Sequence, residues 1–399
     1  MVIKVLPSKA KGEIVAPASK SVSHRALICA ALSQESIVSG LAYSNDVIAT
    51  INCIKVLGAE IEKINDNTLK IKGINFNKNI KNSVLSCGES GSTLRFFIPI
   101  TLLFGANVTL NGTERLFERP LDVYEEIFKK QNIFYNKTKN DITLNGKLLP
   151  GEFNIKANIS SQFISGLLFA LPLLSGDSVI NLIGDTQSLS YIHITLKVLE
   201  DFGIKIDFSG NKIFIKGNQK YQNSSYCIEG DYSNAAFLDA FNLLNGKVDV
   251  LGLKENSLQG DKVYKEIFLK LKQGFATVSL KDCPDLGPIF FTLAAYLNGA
   301  EFTDTARLRI KESDRVYAVK EELEKFGAQL ICKENSVTVL KTELHKPTKI
   351  LNSHNDHRIA MSLSVLLSVF GGEIDGAEAV KKSYPEFYND IKKIGIEVV

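Results

Sequence analysis

The chain has 399 residues, more than one hydrophobic core ordinarily holds, so two domains are expected. With 45% apolar and 23% charged residues it has the composition of soluble globular protein, and no apolar run nears the ~18 residues that a membrane-crossing helix needs. A net charge of +3 is too small to commit the whole surface to nucleic acid, so any positive charge that matters must be gathered locally. The opening Met1–Pro7 turns polar too soon for a signal peptide, which points to a cytoplasmic protein. The stretch Ala18-Ser19-Lys20-Ser21-Val22-Ser23-His24-Arg25 then sets two cations and several hydroxyls ahead of the apolar run Ala26 to Leu32. A helix starting there offers unpaired N–H groups, a positive dipole end and a Lys/Arg pair to one anion, and phosphate is the natural guest.

Farther along, the chain repeats itself. Leu57-Gly58-Ala59-Glu60-Ile61 leads across a polar turn into Leu69 to Gly73; Phe202-Gly203-Ile204 leads likewise into Ile213 to Gly217, and Phe326-Gly327-Ala328 into Val337 to Val339. Each copy predicts a helix closed by a left-handed glycine, then a strand, a turn and a second strand. Weaker copies begin at Gln131, Gln273 and Ile394. Six starts spaced by a compact β/α unit predict three units in each of two domains, and the hairpins exclude a simple doubly wound parallel sheet.

Between the copies, polar loops open apolar helices. Cys87-Gly88-Glu89-Ser90-Gly91-Ser92-Thr93-Leu94-Arg95 precedes the run Phe96 to Phe104, and Glu118-Arg119-Pro120 adds an arginine. Ser160-Ser161-Gln162-Phe163 and Ser188-Leu189-Ser190-Tyr191 follow the same plan. The pattern restarts at Glu229-Gly230-Asp231, which sets a domain boundary there and a matching one near Pro17-Ala18-Ser19. In the second half, Asp285 heads an apolar helix whose dipole favours the ionised carboxylate. Arg309-Ile310-Lys311-Glu312-Ser313-Asp314-Arg315 is the densest charged cluster, followed by Asn355-Asp356-His357-Arg358 and Lys382-Ser383-Tyr384-Pro385. Six cysteines without a C-x-x-C pair and five histidines without metal spacing suggest neither disulfides nor a zinc site.

Taken in this order and register, these motifs closely resemble the 5-enolpyruvylshikimate-3-phosphate synthase family across essentially the whole chain. The resemblance implies an α/β, two-domain enolpyruvyl transferase-like fold, each domain being three β/α repeat units with helices packed inside sheets. One lobe would run over 19–230 and the other over 1–18 with 231–399, joined by a two-strand hinge. The implied reaction is transfer of the enolpyruvyl group of phosphoenolpyruvate to the 5-hydroxyl of shikimate 3-phosphate, releasing phosphate. It belongs to the shikimate pathway of chorismate and aromatic amino acid biosynthesis, and the enzyme is a cytoplasmic monomer needing no metal or organic cofactor. The two small molecules are its partners, with no nucleic acid and no membrane.

Carried over by motif, Lys20, Ser21, Arg25, Ser160, Ser161, Gln162, Ser188, Tyr191, Asp285 and Lys311 are expected to hold shikimate 3-phosphate. Lys20, Gly91, Arg119, Gln162, Arg315, Arg358 and Lys382 are expected to hold phosphoenolpyruvate, with Arg95 and His357 lining the site. Asp285 matches the family's base and Glu312 its proton-transfer partner, with Lys20 a further acid candidate. A carboxylate is a poor acid at neutral pH, so Glu312 needs a raised pKa or a relay. Glu89, Ser90, Ser92, Thr93 and Arg307 depart from the commonest family pattern. The sister transferase for a UDP-linked amino sugar would want a loop cysteine within Asn111 to Glu118, and none stands there. A non-enzymatic polyanion binder would want aromatic platforms and a basic face, and the chain has no Trp.

Overall fold

A computed structural model describes residues 1–77, 80–185, 187–244 and 246–399. The chain divides into two compact units, Ala18–Glu229 and Met1–Pro17 with Gly230–Val399, each around its own apolar core. Strands β1 (Ile3–Val5) and β2 (Lys11–Val15) lie in the first seventeen residues.

Within Ala18–Glu229 the elements run α1 (Lys20–Leu32), β3 (Glu35–Ser39), α2 (Asn45–Val56), β4 (Glu60–Asn65), β5 (Thr68–Lys72), β6 (Ser83–Ser86), α3 (Gly91–Thr101) and β7 (Val108–Asn111). They continue with α4 (Glu114–Glu118), α5 (Asp122–Lys130), β8 (Phe134–Lys137), β9 (Asp141–Asn145), β10 (Glu152–Lys156), α6 (Ser161–Ala170), β11 (Ser178–Ile183), α7 (Leu189–Asp201), β12 (Ile206–Ser209), β13 (Lys212–Ile215) and β14 (Ser225–Cys227). Three four-stranded sheets result, in the orders β14-β3-β5-β4, β6-β7-β9-β8 and β10-β11-β13-β12. Each joins a parallel pair to an antiparallel hairpin. The first sheet is closed by β14 from the end of the unit, so the repeat is completed across a long stretch of sequence.

The other unit continues with α8 (Tyr232–Asp239), β15 (Lys247–Leu251), α9 (Tyr264–Gln273), β16 (Ala276–Ser279), α10 (Gly287–Tyr296), β17 (Ala300–Thr303), α11 (Arg315–Glu324), β18 (Gln329–Cys332) and β19 (Ser336–Leu340). It ends with β20 (Leu351–Asn352), α12 (His357–Phe370), β21 (Gly372–Asp375) and α13 (Phe387–Lys393). Here β16-β17-β19-β18 repeats the four-stranded plan, whereas β15 pairs in parallel with β2 and β21 sits between β20 and β1. The last residues complete that third sheet, since the amides of Lys4 and Leu6 donate to the carbonyls of Val399 and Glu397.

The repeat owes its regularity to one backbone conformation. Gly58, Gly203, Gly327 and Gly395 all take positive φ, and Asn132 does the same at the Gln131 copy. Gly274 is the exception: it is extended at φ 163°, and the chain passes straight from α9 into β16 without a hairpin. Helices α6 and α12 are buried almost all round, whereas the sheets alternate, as in the exposed–buried pattern of β10. The helices therefore form the interior and the sheets the surface of each unit. No helix among the described residues is long and apolar enough to cross a membrane.

Candidate active site

In the unit Ala18–Glu229 the helix starts foreseen from the sequence carry the polar groups. Lys20 is the first residue of α1, and its Nζ lies 2.9 Å from Asp46 Oδ2 in the first turn of α2. One turn on, the Arg25 side chain is buried: Nε donates to Thr195 Oγ1 at 2.8 Å, Nη1 to the Ser21 carbonyl at 2.7 Å and Nη2 to the Tyr191 carbonyl at 3.2 Å. The rings of Phe96 and Tyr191 face the guanidinium. All these partners are neutral, and burial pulls the Arg25 pKa down to about 10. It remains a cation at neutral pH, held by dipoles and π faces rather than by a carboxylate.

Gln162, at the second position of α6, joins two helices. Its Oε1 accepts from Arg95 Nη1 at 2.8 Å and its Nε2 donates to Ser92 Oγ at 3.0 Å, which fixes which way the amide points. Ser92 is one of the departures from the family pattern, and this is what it does. Ser90, another, caps α3: its hydroxyl accepts from the Thr93 amide at 3.1 Å. Arg119 is buried against Gly91, where an added Cβ would lie 2.7 Å from Arg119 Nη1, so a larger residue there would displace the guanidinium. Ser160 caps α6, Ser161 is buried beside it, and Ser188 caps α7 in a left-handed conformation at φ 55°. Ser188 and Tyr191 thus stand at the head of the helix that supplies Thr195.

In the other unit, Asp285, Lys311, Glu312, Arg315 and Arg358 come together. Arg315, with a side chain 1% exposed, bonds Asp285 through Nη1 (2.8 Å), Glu312 through Nη2 (2.7 Å) and Asp356 through Nε (2.8 Å). These carboxylates hold its pKa above the ordinary arginine value despite burial. Asp285 also meets Lys311 Nζ at 3.2 Å and Arg358 Nη2 at 3.4 Å. Burial alone would raise its pKa, but Lys311, Arg358 and Arg315 outweigh it and hold the carboxyl well below the usual range. Asp285 is therefore ionised as foreseen, but three cations rather than a helix dipole keep it so. Burial pulls Lys311 down to about 8 against the attraction of Asp285. Glu312 is ion-paired with Arg315 and keeps part of its carboxylate exposed. Lys382, at the end of the 3-10 turn Ala377–Lys382, is buried and donates to the Asn355 carbonyl, and His357 is buried at the head of α12.

Several residues of the site escaped the sequence reading. Asp356 was noted only as part of a motif, yet it is fully buried, caps α12 through the Arg358 amide at 2.9 Å, and anchors Arg315. Its place just before an apolar helix was the available signal. Asp46 was legible in the same way, behind Ser44. Ser233 and Thr195 carried no local signal, because only the fold brings them to Arg358 and Arg25. His354 lies with Glu321 and Glu322, and Glu322 also holds Lys325 Nζ at 2.8 Å.

A family model described as EPSP synthase (3-phosphoshikimate 1-carboxyvinyltransferase) matches residues 6–391. The 3-phosphoshikimate 1-carboxyvinyltransferase of Clostridium kluyveri is 42% identical, covering 99% of this chain and 98% of its own. The enzyme of the same name from Clostridium beijerinckii is 43% identical, with 98% and 97% covered. Among solved structures, an EPSP synthase from Acinetobacter baumannii superposes with a TM-score of 0.81 at 23% identity, covering 100% of this chain and 99% of that one, a likeness of fold.

Proposed function

The chain belongs to the EPSP synthase family, and from that premise we propose that it transfers the enolpyruvyl group of phosphoenolpyruvate to the 5-hydroxyl of shikimate 3-phosphate, releasing phosphate. Both substrates carry a carboxylate and a phosphate, and both units offer buried or half-buried cations to such groups. Arg25, Ser21, Ser160, Ser161, Gln162, Ser188, Tyr191 and Lys311 serve shikimate 3-phosphate. Arg119 beside Gly91, Arg315, Arg358 and Lys382 serve phosphoenolpyruvate, and Lys20 serves both. Charge-assisted bonds of about 1.5 to 3 kcal/mol each make that sum large.

The observation that carries the reading is Asp285, ionised and 20% exposed among Lys311, Arg315 and Arg358. A base must be ionised and reachable, and a base for this reaction must also lie where anions bind. Asp285 takes the proton of the 5-hydroxyl as its oxygen bonds to C2 of phosphoenolpyruvate and C3 gains a proton. C3 then loses a proton as the C2–phosphate oxygen bond breaks. Glu312 and Lys20 stand as the groups that handle the C3 proton. The chain passes between the units at Pro17–Ala18 and at Glu229–Gly230. The same reading places a monomer in the cytoplasm, with light scattering of purified protein as the check on its mass.

Phosphate release with both substrates tests the proposal. Asp285→Ala is expected to abolish release, a loss of about a thousandfold or more, while titration calorimetry still detects shikimate 3-phosphate. Near-normal turnover in that variant would reject the assigned base.

A further inference from the structure

Between β20 and α12 the chain turns through residues 353–356, and two neighbours there, His354 at φ 50° and Asn355 at φ 52°, take left-handed backbone without being glycine. The other non-glycine residues of this kind among those described stand singly. Such backbone persists only where its surroundings over-determine it, and it gathers where a function needs a fixed loop. Part of the hold is internal: the His354 amide donates to Asn352 Oδ1 at 2.6 Å, the Asn355 amide to Ser353 Oγ at 3.2 Å and the Asp356 amide to the Ser353 carbonyl at 2.9 Å.

The rest of the hold comes from α11. Arg315 and Glu322 stand at positions i and i+7 on one face of that helix, and both side chains are buried. Arg315 takes the far end of the loop, with Nε 2.8 Å from Asp356 Oδ2. Glu322 takes the near end: Oε2 accepts from the Asn352 amide at 2.8 Å and Oε1 lies 2.9 Å from His354 Nε2, while Lys325 Nζ meets both oxygens at 2.8 Å. Burial alone would raise the Glu322 pKa, but His354, Lys325 and the Asn352 amide outweigh it and hold the carboxyl below its ordinary value. An ionised carboxylate only accepts, so His354 Nε2 carries the proton of that bond. Between these two grips the Asn355 carbonyl accepts from Lys382 Nζ.

We propose that His354 is a positioning residue for the transfer: its ring, pinned by Glu322, fixes the left-handed loop that sets Asp356 against Arg315 and the Asn355 carbonyl against Lys382. This rests on the reading in which Arg315 and Lys382 hold phosphoenolpyruvate. His354 acts through the backbone of its neighbours and not on the substrate. Without the pin, the loop relaxes from its left-handed turn and the two cations lose the fixed places in which they meet the anion.

The test is steady-state phosphate release by the whole enzyme, with phosphoenolpyruvate varied at saturating shikimate 3-phosphate, for the unaltered chain, His354→Ala, His354→Gln and Lys382→Ala. Removing the N–H donor in His354→Ala is expected to raise KM for phosphoenolpyruvate by about three- to tenfold, with kcat changed by less than about twofold. In His354→Gln the side-chain amide can donate to Glu322 in place of Nε2, and KM should return to within about twofold of the unaltered value. An unchanged KM in His354→Ala, even with a lowered melting temperature, or an equal rise in both variants would overturn the inference. An unchanged KM in Lys382→Ala would instead sink the functional reading beneath it. Should His354→Ala fail to fold, His354→Leu fills the same space without the donor and is read by the same criteria.

Discussion

Arg25 and Arg315 are both wholly buried guanidinium groups, one in each unit, and they are built in opposite ways. Arg25 is held by the hydroxyl of Thr195, two backbone carbonyls and two aromatic rings, so its charge is uncompensated and its pKa falls to about 10. Arg315 is held by Asp285, Glu312 and Asp356, and its pKa rises. A buried cation with neutral partners is a receptor for an anion that has yet to arrive. A buried cation ringed by carboxylates is first a strut, and its surroundings supply the bases. Under the function proposed above, the first unit mainly binds, whereas the second both binds and moves protons.

Removing the two charges separates these roles most sharply. Arg315→Met leaves three carboxylates facing one another and is expected to destabilise its unit by about 3 to 5 kcal/mol, read from urea unfolding. Arg25→Met leaves no counter-charge stranded and should change stability by less than about 1 kcal/mol, while weakening shikimate 3-phosphate by about a hundredfold in calorimetry. Equal stability losses in the two variants would break the comparison.

A smaller effect is expected from Lys311, which titrates at about 8 in the folded chain and higher when unfolded. Between those values only the unfolded chain keeps its proton, so this lysine makes stability rise with pH. Substrate binding moves the other way, because the ammonium is lost as pH climbs through 8. KM for shikimate 3-phosphate should rise about threefold to tenfold from neutral pH to about pH 9, and Lys311→Arg should remove the rise. The smallest effect belongs to Gly91→Ala. Its Cβ would meet the mobile end of the Arg119 side chain at 2.7 Å, so KM for phosphoenolpyruvate should increase by about twofold to threefold with an unchanged melting temperature. A variant with unaltered KM would show that Arg119 has room to move aside at no loss.

Much of this was legible in the chain itself. Gly58, Gly203 and Gly327 announced the helix ends because few residues other than glycine tolerate positive φ, and the alternation after each announced a strand. Ser19, Ser90, Ser160 and Asp356 stand before apolar runs, and a polar residue there marks a helix start whatever the fold. Motif order then put Arg25, Gln162, Asp285 and Arg358 forward for the site, and the structure sets Arg358 against Asp285. All of these are local signals, carried by backbone sterics and by the unpaired amides of a helix end.

The tertiary structure decided which groups share a charge. Nothing within a few residues of Asp285 marks its partners, since Lys311, Arg315 and Arg358 reach it from distant elements. The closing of one sheet by β14 and of another by the final residues likewise depends on pairings between opposite ends of a unit. Electrostatic interaction depends on distance in space and on burial, and neither is written in sequence spacing. The sequence therefore determined the elements and the residues proposed for the site, and folding alone determined that Asp285 is held ionised and that Arg25 is buried among neutral partners.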